Sequence, residues 1–326
     1  MNDLLLTVPM KKVVLSLLLL LVCVGSAVSQ FDPQMSQYMF HASSFNPAAV
    51  GESDMIQITG QQRIQWLGMP NGGSTFNLSI DSPLKIEGVN YGGLGVIFLD
   101  DKVGQFTNQA LHLQYAYKRK LGQGVLSAGI ELGYVSLGFH GDSVHTISIG
   151  EYHDMTADPE IPKSAVVGMA FDMNVGLYYS TPKYYAGLSY QHLNNPTVDW
   201  GDRSKFKQTG SMFLTGGYNW SLADTKFVIK PSTLIKTDFS SLQWDLSALA
   251  EYDSKYWGGL TYRLEDAVVI LAGLNISEGL SIGCSYDLPT SQILSVSGGS
   301  FEFMLSYSFE YVFGNRNSKY KSIRIL

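Results

Sequence analysis

The chain has 326 residues, of which 22 are basic and 28 acidic, so its net charge at neutral pH is -6. Such a chain lacks the basic surface that nucleic acid requires, so nucleic acid is excluded as a predicted partner. Charged residues make up only 15% of the sequence, whereas glycine (33), tyrosine (19) and phenylalanine (16) are abundant. This composition is typical of an exported β-protein or of an outer-membrane β-barrel.

The first 29 residues predict a secretory signal peptide. Met10–Lys12 is the positive region, Val13–Val24 the apolar run, and Gly25–Ser29 the small-residue cleavage region. The apolar run is about a dozen residues long, shorter than the roughly 20 that a membrane-spanning helix needs. Removal of residues 1–29 leaves Cys284 as the only cysteine, which excludes an intramolecular disulfide.

The next segment, Gln30–Val50, reads QFDPQMSQYMFHASSFNPAAV and is called the leader below. It shows neither the 3.6-residue period of a helix nor the alternation of a strand. Its many aromatic and methionine side chains would be costly to leave in water as one patch. The sequence therefore predicts a short segment that is not part of a sheet, followed by a larger unit that begins at residue 51.

The remainder of the chain alternates apolar with polar or small residues in segments of about ten. In Phe301–Phe313 every second residue is large and apolar, and Glu302 and Glu310 lie on the other face. Fourteen such segments are predicted: Met55–Leu67, Ser74–Ser82, Tyr91–Leu99, Leu111–Lys118, Val125–Tyr134, Met169–Ser180, Tyr184–His192, Ser211–Trp220, Lys226–Lys236, Trp244–Tyr252, Tyr256–Arg263, Ala267–Leu274, Leu280–Asp287 and Phe301–Phe313. The pattern predicts an all-β fold, a transmembrane outer-membrane β-barrel of about 14 antiparallel strands over residues 51–313. An even strand count places both termini, including the basic tail 314–326, on the periplasmic side.

The two longest polar stretches, Gly138–Pro162 and Asn194–Gln208, are predicted to be external loops. Standard nucleophile, zinc and nucleotide motifs are missing from the sequence. The first loop carries His140, His145, His153, Asp142, Glu151 and Asp154. Their spacing matches no helical or hairpin ligand set, which favours a solvated loop over a metal site or a barrel hydrolase. We therefore expect no enzyme activity and no cofactor.

Charged residues concentrate on the predicted inner face of the barrel, because a charge on the lipid face costs about 2–4 kcal/mol near the midplane. Besides Arg63, this lumen network comprises Asp81, Lys118, Glu131, Asp172, Asp245, Glu251, Arg263, Asp287 and Glu302. It is interpreted either as a structural network or as a pathway or docking site. Gln62 falls on the lipid face, which indicates a bulge or an early strand end there.

An ordered set of short motifs resembles the PorP/SprF family, type IX secretion system outer-membrane proteins of Bacteroidetes. The set includes Asp32-Pro33-Gln34, Ser36-Gln37-Tyr38-Met39, Asn46-Pro47-Ala48, RIQWLGMP with Arg63, Gln65 and Trp66, LHLQYAYKRKLG, and LTGGY at 214–218. The resemblance implies a barrel in outer-membrane lipid that assists secretion, surface anchoring or gliding-adhesin display of cargo proteins with a C-terminal sorting domain. Implied partners are type IX secretion components, a cargo or adhesin C-terminal domain, and periplasmic proteins.

We hypothesise that the leader folds back against the periplasmic mouth or into the lumen, where Asp32, Gln34, Gln37 and Asn46 bond to wall residues such as Arg63 and Gln65. It would then plug the barrel or present a docking surface to a periplasmic partner. The predicted docking residues are Asp32, Pro33, Gln34, Gln37, Tyr38, Asn46, Pro47, Arg63, Gln65 and Trp66. Two alternatives remain open: a strap that merely starts the first strand, and a general porin or substrate channel.

Overall fold

Fourteen strands form a closed antiparallel barrel in the computed structural model, which describes residues 32–86, 89–141, 164–200 and 205–310. The described residues form seventeen strands, and all of them except β8, β9 and β11 belong to the wall. They are β1 (Ile56–Ile64), β2 (Ser74–Ile86), β3 (Val89–Val103), β4 (Phe106–Leu121), β5 (Gly124–His140), β6 (Ala165–Ser180), β7 (Tyr184–Gln191), β8 (Thr197–Asp199), β9 (Lys205–Lys207), β10 (Ser211–Tyr218), β11 (Trp220–Ser221), β12 (Phe227–Thr237), β13 (Leu242–Tyr252), β14 (Tyr256–Arg263), β15 (Ala267–Ser277), β16 (Leu280–Pro289) and β17 (Ser300–Phe309). Each predicted segment corresponds to one wall strand, so the predicted fold class and strand count are confirmed.

Neighbouring wall strands follow one another in chain order, except where the barrel closes. β1 pairs with β17, with Ile56 opposite Phe309, and β10 pairs with β12, with Met212 opposite Thr237. β11 continues β10 along β12, and β8 and β9 form a separate two-stranded hairpin. Closure gives each wall strand a neighbour on both sides, which is how a sheet satisfies its backbone polar groups in hydrocarbon.

The two faces of the wall differ as the alternation predicts. On β4, Leu113 is 64% exposed on the outer face, whereas its neighbour His112 is 5% exposed on the inner face. The same alternation holds on β17, where Phe303 is exposed and Glu302 is fully buried. The barrel therefore presents an apolar surface to lipid and keeps its charged side chains inside.

The two ends of the barrel differ in the length of their connections. At the end where β1 begins, called the turn end, five connections of two or three residues and one of eight residues, which contains β11, join the wall strands. At the opposite end, called the loop end, lie the longest connections, 65–73, 141–164, 192–210 and 290–299, together with three of two to four residues. β1 begins and β17 finishes at the turn end, as an even number of strands requires.

Several predicted boundaries differ from the observed ones. β1 ends at Ile64 rather than Leu67 and keeps an unshifted register past Gln62, so Gln62 reflects an early strand end and not a bulge. The predicted external loop Gly138–Pro162 was wrong at its start, because Gly138–His140 continues β5 opposite β6. The second predicted loop contains the hairpin β8–β9, which packs Trp200 against Phe139 and Phe206.

Some predictions concern residues outside the described part of the chain. These are the signal peptide, Gln30 and Phe31, the tail 314–326, the end of the last predicted strand beyond Glu310, and the loop residues Asp142, His145, Glu151, His153 and Asp154. Within the described residues, no helix is long and apolar enough to span a membrane.

Candidate functional site: the plugged lumen

The leader runs through the lumen from the loop end to the turn end. It forms three short 3-10 turns, Tyr38–Phe40, Ala42–Ser44 and Pro47–Ala49, of which the last begins with an Asn46 cap on the Ala48 amide (2.9 Å). At the loop end, Lys236 Nζ donates to the Asp32 carbonyl (2.5 Å). At the turn end, the Gly51 amide donates to Asp81 Oδ1 (3.0 Å), and the chain then enters β1.

This path refines the predicted position of the termini. The ends of the first and last strands, Ile56 and Phe309, lie side by side at the turn end. Asp32, the first described residue, lies instead at the loop end beside His192 and Lys236. The strand ends therefore lie together at the turn end and the described chain starts at the loop end, because the leader crosses the lumen before β1; the periplasmic side of the termini stays a prediction.

A buried group called the arginine cluster holds the leader near its start. Arg63 Nη2 and Arg263 Nη1 donate to Asp287 Oδ2 (2.8 and 2.9 Å), and Ser36 Oγ donates to the same carboxylate (2.8 Å). Arg63 Nη1 and Arg263 Nη2 also donate to Ser36 Oγ, at 3.0 and 3.2 Å. A single leader hydroxyl thus joins three charged groups of the wall.

Glu302 and Asp245 complete the arginine cluster. The backbone amides of Ser36 and Gln37 donate to the two oxygens of Glu302, at 2.7 and 3.0 Å. Arg263 Nε lies 3.3 Å from Asp245 Oδ2. Charge-assisted bonds of this kind are roughly twice as strong as neutral ones, so the leader backbone is fixed to the wall.

A second buried group, the histidine cluster, contacts the first described leader residue. Asp172 Oδ2 accepts from His112 Nε2 and His192 Nδ1, both at 3.0 Å, and His192 Nε2 bonds Asp32 Oδ1 at 2.9 Å. Burial by itself would raise the pKa of the Asp32 carboxyl, but the charge and hydrogen bond of His192, together with Lys236, hold that pKa well below its usual range. Asp32 is therefore a carboxylate that anchors the leader at the loop end.

His41 lies halfway along the leader and is held in its neutral form. Burial lowers its pKa to about 4, and the hydrogen bond with Gln61 opposes part of this effect. His41 Nδ1 bonds Gln61 Oε1 of β1 (2.9 Å), and Nε2 bonds the Ser79 hydroxyl of β2. A neutral imidazole offers one donor and one acceptor, which matches these two partners.

Wall glycines form a recess for the third turn of the leader. An added Cβ at Gly129 would meet Pro47 and the backbone nitrogen of Ala48, and one at Gly187 would lie 2.9 Å from Asn46 Nδ2. Asn46 Nδ2 donates to the Leu177 carbonyl of β6 (3.0 Å). The leader backbone therefore packs directly on the inner surface of the wall.

Aromatic leader side chains occupy a further part of the lumen. Phe45 stacks on Phe213 with ring centroids 5.8 Å apart, and Phe40 packs on Trp257 at 4.4 Å. The hydroxyl of Tyr38, which is 1% exposed, bonds those of Ser232 and Ser247 at 3.1 and 3.0 Å. A cavity of about 100 Å³ remains between Asp32–Tyr38 and the wall.

The predicted docking residues mostly meet in the lumen, but their partners differ from those proposed. Arg63 bonds Ser36 rather than Asp32, Gln34, Gln37 or Asn46. Gln34, with its amide oriented to suit its neighbours, accepts from Arg263 Nε at 2.5 Å. Pro33, Gln65 and Trp66 line a cavity of about 280 Å³ at the loop end, and no leader hydrogen bond to the Gln65 side chain is present among the described residues. β1 ends at Ile64, before Gln65, and the docking role of Gln65 stays a prediction.

The predicted lumen network is on the inner face throughout. Eight of its members are at most 7% exposed: Asp81, Lys118, Glu131, Asp172, Asp245, Arg263, Asp287 and Glu302. Glu251 is only partly buried and pairs with Lys230 Nζ (2.8 Å) towards the turn end. Sequence reasoning missed Ser36, His41, His112, His192 and Lys236. The polar phase of LHLQYAYKRK, in which His112 and Gln114 alternate with leucines, could have identified His112.

The described residues contain no group of three or more His, Cys, Asp or Glu side chains arranged to hold a metal ion. His140, the one histidine of the first predicted loop within the described chain, is exposed at the end of β5. The buried charges pair with one another and with the leader, so their arrangement is that of an anchoring network.

Fold and lumen together define a class: an outer-membrane β-barrel whose own N-terminal segment fills its interior. A family model described as type IX secretion system membrane protein PorP/SprF matches residues 27–307. The chain belongs to this family, which confirms the resemblance seen in the sequence.

Solved barrels resemble the structure at low sequence identity. The CymD monoaromatic hydrocarbon channel is 12% identical, with 87% of this chain and 95% of that chain covered and a TM-score of 0.51. The outer-membrane protein Omp33 of Acinetobacter baumannii is 6% identical, with 79% and 100% covered and a TM-score of 0.48. A likeness at this identity shows the fold alone. Among curated proteins, none matches the chain.

Proposed function

We propose that this protein is a plugged, non-enzymatic barrel of the type IX secretion system that assists secretion, surface anchoring or adhesin display of cargo with a C-terminal sorting domain. Family membership supports the link to the secretion system. The observation that carries the proposal is the leader, which crosses the lumen and is bonded at both ends, to Lys236 and to Asp81. A barrel closed in this way serves as a platform for protein partners.

The plug disfavours the alternative of a general porin or substrate channel. A barrel of 14 strands is wide enough to pass solute unless something fills it. Here Gln37, Asn46, Ala48 and Val50 of the leader are fully buried in the lumen. Opening a path would break the charge-assisted bonds of the arginine cluster, each of which contributes about 1.5–3 kcal/mol.

We place the turn end in the periplasm. Single-chain barrels have short periplasmic turns and longer external loops, and the two ends of this barrel differ in that way. The start of β1, the end of β17 and the C-terminal tail then lie in the periplasm. Asp32 lies instead in the external half of the lumen. Periplasmic secretion components would meet the turn end, where Met39, Phe40 and Tyr185 line a cavity of about 360 Å³.

The first test isolates the native complex. The protein carries a tag at its C-terminal tail, is solubilised from the outer membrane in mild detergent, and its companions are identified by mass spectrometry. Recovery of periplasmic secretion components, or of a large surface protein with a sorting domain, is the expected result. Recovery of the barrel alone, combined with open-channel conductance in planar bilayers, would contradict the proposal and favour a porin.

A second test concerns the leader. Deletion of residues 30–47 is expected to leave a heat-modifiable barrel, seen as a mobility shift on gels, that conducts ions and fails to support secretion. The intact protein in the same bilayer is the control. If the deleted barrel assembles and secretion is unchanged, the leader does not serve docking.

A further inference from the structure

The cavity of about 280 Å³ at the loop end is a blind pocket above the leader. Inward residues of β3 and β4, among them Asp101 and Asn108, form part of its side, and leader residues 32–34 form its base. Gln65 and Trp66, from the connection after β1, are half-buried and line its rim. Because the leader continues from this base through the lumen, a molecule that enters from the loop end is held there and does not cross the barrel.

Several polar side chains of this pocket have groups without a hydrogen-bond partner. Asn108 is 7% exposed, and its Oδ1 is buried with no partner in the described part of the chain. Asp101 is equally buried; its Oδ1 accepts from the Thr75 hydroxyl (2.6 Å), whereas its Oδ2 has no bond or ion pair from any described residue. Within the same residues, the indole N–H of Trp66 and the side-chain amide of Gln65 are also unpaired. Buried polar groups are nearly always bonded to protein, water or a ligand, so these groups mark a place that receives a polar molecule.

Trp66 is held in an unusual backbone conformation. Its φ of 55° lies in the left-handed region, which a bulky residue rarely adopts. Its amide donates to Ser300 Oγ (3.2 Å), and its carbonyl accepts from the Met69 amide (3.0 Å). Residues in this region persist where the surrounding structure fixes them, and they are concentrated at ligand sites and other functional sites. The indole is therefore fixed at the rim of the pocket.

The charges around the pocket balance, which favours a neutral ligand. The Asp32 carboxylate is paired with His192 (2.9 Å). The other charged side chains of the lining are one anion, Asp101, and one cation, Lys236. A charged ligand would upset this balance in a partly buried site, where an uncompensated charge is costly.

The remaining lining groups fit a ligand with many hydroxyls. Beside the Trp66 indole, the pocket is lined by four amide side chains, those of Gln34, Gln65, Asn108 and Gln243. Amides offer both donors and acceptors, and a carboxylate accepts only, so hydroxyl groups can satisfy both kinds. A sugar ring carries hydroxyls around its edge and C–H groups on its faces, and such a face packs on an indole. The volume lies at the lower end of the roughly 300–1,000 Å³ range of small-molecule pockets, whereas a wholly apolar ligand would leave the polar groups unpaired.

We propose that this pocket at the loop end binds a neutral saccharide. The Asp101 carboxylate and the amides of Gln65 and Asn108 bond its hydroxyls, and the Trp66 indole covers one face of the ring. The leader supplies the base of the site, so the plugged barrel is the binding form. This inference goes beyond the proposed function, and only the source of the saccharide is linked to it, because that function places the loop end at the cell surface.

The test uses the full-length protein purified in detergent, with folding checked by heat-modifiable mobility. Two probes are titrated by calorimetry: the polysaccharide released by mild acid from lipopolysaccharide of the native host, and a panel of free neutral monosaccharides and disaccharides. The pocket variants are Trp66→Ala and Asp101→Asn. Their matched controls are Trp220→Ala, at the turn end, and Asp100→Asn, the preceding residue of β3, neither of which lines the pocket.

We expect binding of at least one probe, weakened about tenfold or more in both pocket variants, since each loses a hydrogen-bonding or packing contact with the ring. The controls should bind as the wild type does. Binding of the polysaccharide alone would identify the cell surface as the source, and binding of the free saccharides alone would identify a soluble ligand. If neither probe binds at millimolar concentration, or if pocket variants and controls bind equally, the saccharide site is wrong. The partners recovered with the native complex are measured separately, so the proposed function is unaffected by either result.

Discussion

Replacing Gly129 by alanine is expected to unseat the leader. The new Cβ would lie 2.5 Å from the Pro47 carbonyl oxygen and would also meet the Ala48 nitrogen. Gly129 lies on β5, which is paired on both sides: Gly129 is opposite Ala116 on β4 and opposite Gly176 on β6. The wall therefore cannot move away from the added methyl group. The leader must shift instead.

The size of this effect follows from the packing. Overfilling a well-packed site costs about 1–3 kcal/mol. The added methyl group collides with the leader only in the closed state, in which the leader is seated in the recess, and not in the open state, in which it has left the recess. The energetic cost therefore raises the free energy of the closed state alone. The population of the open state should therefore rise about 5- to 150-fold.

Hydrogen exchange of leader amides measures this population. The Asn46 amide bonds the Ala42 carbonyl (3.0 Å) and the Ala49 amide bonds the Asn46 carbonyl (3.0 Å), so both exchange only when the leader opens. Their rates should rise in Gly129→Ala and stay at the wild-type value in the control Gly60→Ala, whose Cβ meets nothing closer than 4.0 Å. Equal rates in the two variants would refute the seating of the leader on this recess.

Three further outcomes are expected. Tyr38→Phe should lower the free energy of unfolding by about 1–3 kcal/mol, because the buried Ser247 hydroxyl and the half-buried Ser232 hydroxyl lose a partner, and should lower the thermal midpoint, whereas Tyr115→Phe on the lipid face should not. Leu113→Arg should lower the stability of the barrel in lipid vesicles by about 2–4 kcal/mol; the same cost for Gln109→Arg, four residues nearer the loop end on the same face of β4, would argue against this membrane position. The buried, neutral His41 has a pKa of about 4, below its usual value, so the unfolded chain takes up a proton at a higher pH than the folded one. The free energy of unfolding of the wild type should therefore fall by up to about 3 kcal/mol as the pH falls from 7 towards 4. His41→Gln should flatten this dependence in thermal unfolding; an unchanged pH slope would contradict the burial.

The strands could be predicted from the sequence because each of them has to meet lipid on one face. Alternation with a period of two is a local property, and in Phe301–Phe309 it can be read without knowing any neighbour. The same reasoning identified Arg63, Asp287 and Glu302 as inward-facing. Boundaries were less certain, since the strands at the loop end extend beyond the apolar belt, as Gly138–His140 does on β5.

The partners of those inward residues could not be predicted. Ser36 bonds Asp287 across 251 positions of sequence, and Asp32 bonds His192 across 160. Such contacts depend on strand register and barrel closure, which alternation does not specify.

The sequence by itself determined that the chain is a barrel with a separate, aperiodic leader, because both properties follow from local patterns of polarity. The tertiary structure decided the direction of the leader and its anchoring at Asp32 and Ser36. The physical reason is that these features arise where backbone groups from distant parts of the chain either find partners or lack them, and only the closed barrel fixes which of the two occurs.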